Sequence, residues 1–157
     1  MPIFFLDSNV IIKYYVEEPG SDWVRLLVDE PDNLCLICEI TVVEVAAALS
    51  QLRRSSHFGR NRMLTTFARF QEDIHTGLFL SRALGAEVLE LAAEIALSHP
   101  IKGYDALQVA AAVTAEDLSN FEVVFVSGDK QALRAAQLEA METDTPFAHL
   151  DKPESQS

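Results

Sequence analysis

Short apolar runs alternate with helical segments along this chain. Residues 3–6 and 123–126 are wholly apolar and are followed by polar residues, as is typical of buried strands, and residues 34–38 form a third apolar run. A weak strand is expected at residues 78–80 and a short edge strand at residues 147–150. Strands that alternate with helices usually form a parallel sheet covered on both faces. The pattern therefore predicts an α/β fold, a three-layer α/β/α sandwich with a central, mainly parallel sheet.

The segments between these strands carry helical signals. Apolar residues spaced three or four positions apart predict helices over residues 9–16, 22–29, 41–54, 61–74, 85–98, 105–115 and 130–139. Ser21 is expected to cap the second of these helices. In the third, the buried stripe is expected to consist of Ile40, Val43, Ala47 and Ala48.

Length and composition favour a single compact unit. The chain has 157 residues, of which 49% are hydrophobic, and this fits one domain over residues 1–150 with a polar tail at 151–157. The sequence has no apolar run of about 18 residues, and its first residues lack the basic segment and cleavage site of a signal peptide. No membrane association is predicted, and a cytoplasmic location is expected.

The cysteines and histidines argue against thiol redox or zinc chemistry. Cys35 and Cys38 form a C-x-x-C within an apolar strand, without the second ligand pair of a zinc ribbon, so we interpret them as small buried hydrophobic residues. The four histidines show no spacing typical of zinc ligands.

Charge is distributed unevenly along the chain. The formal net charge is −12, which disfavours binding of nucleic acid over the whole surface. Residues 53–69 nevertheless contain five arginines and no acidic residue. We call this set the arginine strip: Arg53, Arg54, Arg60, Arg62 and Arg69. It is interpreted as a surface for RNA phosphates, as a surface for an acidic partner, or as an ordinary solvated helix face.

Four acidic residues stand next to apolar segments. Asp7 directly follows the first strand, and Asp129 follows the 123–126 strand at a distance of three residues. The carboxyl ends of parallel strands meet at one edge of a sheet, so these two side chains are expected at the same edge. Each also has a plain interpretation, since aspartate caps helices and forms turns.

The other two acids lie in alanine-rich helices. Glu44 falls within the expected buried stripe of its helix, where the alternative is a buried ion pair with Arg or Lys. Asp105 lies in the first turn of its helix, where an acid is favourable without any function. Four carboxylates about 5 Å apart would repel by roughly 3 kcal/mol per pair at an effective dielectric of about 20. A shared Mg²⁺ or Mn²⁺ ion removes that repulsion, and such ions commonly activate water for attack on phosphodiesters.

Four segments together resemble a known family. They are FLDSNVIIKYYVEEPGS at residues 5–21, EITVVEVA at 39–46, KGYDALQVAAA at 102–112 and VSGDKQAL at 126–133. In this order they resemble PIN-domain proteins, most of all the VapC toxins of bacterial toxin-antitoxin modules, and the resemblance extends to about residue 140. Lys102 stands where many relatives have Arg, and Gly128 where Ala is more frequent.

The resemblance implies a Mg²⁺-dependent endoribonuclease whose acidic residues are Asp7, Glu44, Asp105 and Asp129. Ser8 or Asn9 would supply the polar group beside the first acid, and Ser127 the hydroxyl before the last. Lys102 joins the arginine strip as a candidate RNA contact. Asp7 and Asp105 are expected to hold the metal most directly, with Glu44 and Asp129 binding through water or completing a second site. Homodimers and inhibition by a VapB-type antitoxin are also implied.

Two other functions compete with this one. A haloacid-dehalogenase-like phosphatase also places Asp after its first strand, but it needs a second Asp two residues later, where this chain has Asn9. A non-catalytic PIN-like module that binds RNA or protein would be expected to have lost one or more acids, and all four are present.

Overall fold

The computed structural model describes residues 1–56 and 58–150. The polar tail predicted at residues 151–157 lies outside the described residues. The strands are β1 (Ile3–Leu6), β2 (Leu34–Cys38), β3 (Leu80–Arg82), β4 (Val123–Val126) and β5 (Glu142–Asp144). The helices are α1 (Ser8–Tyr15), α2 (Ser21–Asp29), α3 (Thr41–Ser55), α4 (Arg60–His75), α5 (Ala86–Ser98), α6 (Gly103–Ser119) and α7 (Lys130–Leu138), and a 3₁₀ turn follows at Pro146–His149.

The strands form one five-stranded sheet in the order β3-β2-β1-β4-β5, and every neighbouring pair is parallel. The chain moves outward on one side from β1 to β3 and then returns to the other side of β1 with β4. The order thus reverses beside β1, and a crevice forms at such a point beyond the carboxyl ends of the strands. Leu6 pairs with Val126 in this register, so Asp7 and Ser127 leave the sheet side by side.

Alternating side chains of the strands enter two separate cores. Phe5, Leu36 and Phe125 lie in one core, together with residues of α5, α6 and α7. Leu6, Ile37 and Val126 lie in the other, together with residues of α1, α2, α3 and α4. Because both faces are covered, the three central strands β1, β2 and β4 are apolar at every position. The predicted three-layer α/β/α sandwich is confirmed.

Two local predictions near the chain's turns were wrong. Residues 147–150 form most of a 3₁₀ turn instead of an edge strand, and the outer strand is β5. The turn is favoured over a strand because Pro146 has no N–H for a strand ladder and the Thr145 hydroxyl accepts a hydrogen bond from the Phe147 N–H within the turn. Ser21 is the first residue of α2, not its cap, since its hydroxyl binds Val16 and Glu18 instead.

The two cysteines behave as packing residues. Cys35 and Cys38 are free thiols buried in different cores, on opposite faces of β2. Burial raises the pKa of Cys35 to about 12 and that of Cys38 to about 11, so both thiols stay protonated at neutral pH. Within residues 1–56 and 58–150, no helix combines the length and apolar character needed to cross a membrane.

Candidate metal centre

Asp7 stands at the point where the first strand becomes the first helix. Its N–H donates to the Val126 carbonyl (3.0 Å), which extends the β1–β4 ladder by one bond. Its side chain caps α1 by accepting from the Ser8 N–H (2.8 Å). The residue is only 1% exposed, so its carboxylate lies inside the protein.

Neutral donors surround this buried carboxylate. The Ser127 hydroxyl donates to Asp7 Oδ2 at 2.8 Å and the Asn9 amide at 3.2 Å, while Asn9 Oδ1 accepts from the Gly128 N–H at 2.8 Å. Asn9 thereby ties the loop after β4 to the start of α1. A Cβ at Gly128 would lie 3.0 Å from the Phe147 ring and 3.3 Å from Asn9 Oδ1, which accounts for glycine in this chain.

These donors satisfy the oxygens of Asp7 without neutralising its charge. The pKa of Asp7 is raised from its ordinary value of about 3.8 to about 7. Burial is the main cause and the charges of Asp105 and Glu44 add to it, while the bonds from Ser127 and Ser8 oppose the shift. A cation beside the carboxylate would reverse the effect of burial.

Glu44 lies in the first turn of α3 and is held by a residue of α6. Gln108 Nε2 donates to Glu44 Oε1 (2.6 Å) and to the Thr41 hydroxyl (2.9 Å). Burial raises the pKa of Glu44, and the charge of Asp105 raises it further, while bonds from Gln108 and Ser8 oppose the shift. The plain interpretation of Glu44, a buried ion pair with Arg or Lys, is wrong, because its bonded partner is the neutral Gln108.

The buried stripe that was expected to surround Glu44 is wrong at Val43 and Ala47, which are exposed, while Ile40 and Ala48 are partly buried. The buried residues of α3 are Thr41, Val45 and Leu49, whereas Val43 is 64% exposed. The apolar face that includes Val43 is turned toward an open cleft instead of the core. Glu44 belongs to the wall of that cleft.

Asp105 and Asp129 complete the acidic group. Asp105 lies in the first turn of α6, and burial raises its pKa; the charge of Asp129 adds to this effect and that of Lys102 opposes it. Asp129 caps α7 by accepting from the Ala132 N–H (2.8 Å), and its own N–H donates to the Ser127 hydroxyl (3.0 Å). The Ser127 hydroxyl therefore connects the two strand-end aspartates.

The structure brings the four acids to one edge of the sheet but does not form a closed cage. Asp105 influences the pKa of both Asp7 and Glu44, and Asp129 influences that of Asp105. Among the residues that the structure describes, however, no three His, Cys, Asp or Glu side chains are close enough to ligate one ion directly. The donor set fits a hard cation that keeps several of its waters, as Mg²⁺ usually does.

A cleft of about 680 Å³ opens beside Glu44, and we call it the α3–α6 cleft. Ser8, Asn9, Val43, Glu44, Arg54, Lys102 and Tyr104 are among its lining residues. The arginine strip is thus divided in space: Arg54 faces this cleft, Arg62 lies over the Phe58 ring (4.5 Å) and Arg69 over the Tyr15 ring (5.6 Å). Arg53 and Arg60 are exposed.

Sequence reasoning did not single out Gln108, although its side chain is fully buried and positions Glu44. A signal was present, since Gln108 is the one polar residue between Ala106 and Ala112. Its Oε1 has no hydrogen-bond partner within the described part of the chain. Burying an unpaired amide oxygen costs free energy, and the two hydrogen bonds that Nε2 donates explain why an amide nevertheless occupies this position.

One family model matches most of the chain, and solved structures share its fold. A family model described as PIN domain matches residues 4–138. The structure of VapBC2 from Rickettsia felis, bound to a DNA fragment from the promoter, superimposes with a TM-score of 0.64 at 14% sequence identity, covering 91% of this chain and 98% of that chain. No curated protein sequence shows a significant match.

Two further structures give the same result. FitAcB from Neisseria gonorrhoeae has a TM-score of 0.59 at 17% identity, with 92% of this chain and 98% of that chain covered. VapBC-1 from nontypeable Haemophilus influenzae has a TM-score of 0.60 at 14% identity and the same coverage. At such identities, the similarity establishes the fold.

Replacing Asp7 by Asn should stabilise the metal-free protein at neutral pH. The folded state raises the pKa of Asp7 to about 7, so protonation of Asp7 increases the free energy of unfolding. This stabilisation is complete below about pH 4 and is lost as the pH rises through 7. The asparagine side chain of Asp7→Asn is neutral at every pH. In EDTA, the free energy of unfolding of Asp7→Asn should therefore exceed that of wild type by near zero at pH 4 and by a few kcal/mol at pH 8.

Urea unfolding at several pH values measures this difference. Asp32→Asn, at an exposed turn position, removes the same charge and serves as the control. A difference between Asp7→Asn and wild type that does not change with pH would contradict the prediction.

Replacing Gln108 by Glu should be strongly destabilising at neutral pH. The substitution keeps the shape but places a second carboxylate where Glu44 now accepts a hydrogen bond, so we expect a loss of about 2 kcal/mol or more at pH 8. The loss should shrink at pH 5, where the pair can hold a proton. Gln137→Glu is the matched control, because Gln137 also donates to a threonine hydroxyl, on the exposed surface. Equal losses for the two variants in urea unfolding would refute the role of Gln108.

Proposed function

The chain belongs to the PIN-domain family, and from this premise we propose that it is a Mg²⁺- or Mn²⁺-dependent endoribonuclease and the toxin of a VapBC-type toxin-antitoxin module. We treat residues 1–150 as one PIN domain. The observation that carries the proposal is the convergence of four carboxylates from four elements at the strand-order reversal, with the pKa raised in three of them.

Asp7 and Asp105 are proposed to hold the ion most directly. The bonds from Ser8, Asn9 and Ser127 keep both Asp7 oxygens in fixed positions, so binding requires little reorganisation of that side chain. Glu44 and Asp129 bind through water or complete a second site. When bound, the metal would polarise the scissile phosphate and lower the pKa of a ligated water, and cleavage would leave a 5′-phosphate and a 3′-hydroxyl.

The other residues of the site have supporting roles in this proposal. Gln108 occupies Oε1 of Glu44 and leaves Oε2 to accept the proton released by the attacking water. Arg54 and Lys102 line the same cleft as Glu44 and contact RNA phosphates near the metal. Arg53, Arg60, Arg62 and Arg69 are more distant candidates for the same role.

The toxin assignment is supported by the solved structures of the same fold, which include VapBC2 and VapBC-1. We propose that a VapB-type antitoxin inhibits this chain, that two copies form a homodimer and that the protein acts in the cytoplasm. A non-catalytic PIN-like module that binds RNA or protein is the alternative. The absence of three directly ligating acids among the described residues favours it.

Purified protein should cleave structured RNA in Mg²⁺ or Mn²⁺ and lose this activity in EDTA. Asp105→Asn should lower the cleavage rate at least about 100-fold, because it removes a charged ligand without changing the shape of the side chain. Asp117→Asn changes the same residue type at an exposed position of the same helix and should be as active as wild type. Gel assays of RNA cleavage provide the measurement. No cleavage by wild type with either metal would leave the non-catalytic alternative. Full activity of Asp105→Asn would show that cleavage does not depend on this acid and would overturn its assignment as a metal ligand.

Expression of the wild-type chain in bacteria should arrest growth if it is a toxin. Asp105→Asn should be tolerated, and co-expression of the small protein encoded beside its gene should restore growth of the wild-type strain. Growth curves with matched expression levels measure both effects. An equal arrest by wild type and Asp105→Asn would separate toxicity from the acidic site.

A further inference from the structure

Tyr104 is an aromatic residue that lines the α3–α6 cleft. It directly precedes Asp105 at the start of α6, and it is 60% exposed. Exposed aromatic residues are unremarkable when isolated, but this one shares its cleft with Val43, which is 64% exposed, and with Ala47. The cleft therefore has apolar groups on both of its helices, beside an acidic centre.

Packing of the fold does not account for this exposed ring. The core-facing residues of α6 near its start are Ala106, Gln108 and Val109, all of which are buried. Val43 likewise lies outside the buried stripe of α3. Neither side chain contributes much to the two cores, so both are available to a ligand.

The charges around the cleft indicate the class of that ligand. Arg54 and Lys102 line the cleft and are exposed, and Arg54 is oriented by a bond from its guanidinium to the Ser50 hydroxyl (2.9 Å). Cationic groups on α3 and at the start of α6, in one cleft with an aromatic and an aliphatic surface, match a flat, uncharged group that is flanked by phosphates. A nucleotide has this combination of features.

We propose that the α3–α6 cleft is a subsite for one unpaired nucleobase of RNA next to the scissile phosphodiester. The base stacks on the Tyr104 ring against the Val43 side, and Arg54 and Lys102 bind the flanking phosphates. This inference rests on the proposed ribonuclease function and adds a requirement to it. The strand must be unstacked at that nucleotide, because a base within a duplex is covered on both faces by its neighbours.

Stacking of this kind selects RNA by structure more than by sequence, since every base has a π-face. Unpaired loops and single strands should therefore occupy the subsite, and a continuous duplex should not. Tyr104 is then a determinant of substrate choice beside the acidic centre, without touching the reacting phosphate.

Binding of a labelled RNA tests the subsite directly. The probe is a fluorescein-labelled ten-nucleotide oligoadenylate, measured by fluorescence anisotropy in Ca²⁺. We expect Tyr104→Leu to weaken binding about tenfold and Tyr104→Phe to change it less than about twofold, since phenylalanine keeps the stacking face. Phe121→Leu is the matched control, because Phe121 is an exposed aromatic outside the cleft and beside Glu116 and Glu122. Circular dichroism confirms that each variant is folded.

The phosphate contacts are tested by the salt dependence of the same binding. Arg54→Gln should reduce the slope of log affinity against log salt by about one, whereas Arg134→Gln, on the exposed face of α7, should not. A series of probes with one abasic nucleotide adds a third measurement. The probe whose abasic nucleotide lies at the stacked position should bind wild type about tenfold more weakly than the intact probe. Tyr104→Leu should bind this abasic probe with the same affinity as wild type does.

The outcomes separate this inference from the proposed function. If wild type cleaves RNA and Tyr104→Leu binds and cleaves as well as wild type, the subsite is overturned and the ribonuclease stands. If binding depends on Tyr104 but no RNA is cleaved, the cleft stands as a nucleobase-binding site and the ribonuclease function is overturned. If Tyr104→Leu weakens binding of the antitoxin and leaves RNA binding unchanged, the cleft is a protein site and the inference is wrong.

Discussion

The Asp7 carboxylate lies between the ends of two adjacent parallel strands and is shut off from solvent, so the surrounding groups must balance its burial. Much of the site follows from this requirement. Ser127 and Asn9 donate to it, the loop after β4 is fixed through Asn9, and Asp129 is linked through the same Ser127 hydroxyl. Because all these donors are neutral, the bonds set the geometry while the charge remains for a cation to compensate. A rigid site with an uncompensated negative charge is suited to binding a metal ion.

The four acids differ in how the protein holds them, and the difference is physical. Asp7 and Asp129 cap helices that begin just after strands, so their positions follow from the ends of β1 and β4. Glu44 and Asp105 start helices on opposite layers, and the Gln108 bridge from α6 to Glu44 and Thr41 joins those layers near the site. The strand ends thus fix the positions of Asp7 and Asp129, whereas the hydrogen bonds between α3 and α6 position Glu44 relative to Asp105. A change in those bonds would alter the acidic group without touching β1 or β4.

Much of this arrangement was predictable from the sequence, because strand ends and helix starts are local signals. The β1 and β4 bounds, the parallel sheet and the shared edge for Asp7 and Asp129 follow from apolar runs and from the topology of parallel strands. The stripe of α3 did not follow, since a cleft wall and a core face are both apolar in sequence, and only tertiary contacts distinguish Val43 from Val45. The 3₁₀ turn was missed because the apolar residues from Phe147 onward resemble a short strand, whereas Pro146 and the Thr145 hydroxyl favour a turn. Gln108 was missed because its bonded partners lie on another helix, and only the fold brings α3 and α6 close to each other.

The sheet also explains how the molecule can carry such apolar strands without offering them to other chains. β1 and β4, which are apolar throughout, are paired on both sides, whereas the two outermost strands have three residues each and include Arg82 at one margin and Glu142 and Asp144 at the other. Short, charged margins are poor templates for edge-to-edge pairing and for aggregation. The margins are thus protected against uncontrolled sheet growth, and a macromolecule that binds this protein is directed to its helices and loops.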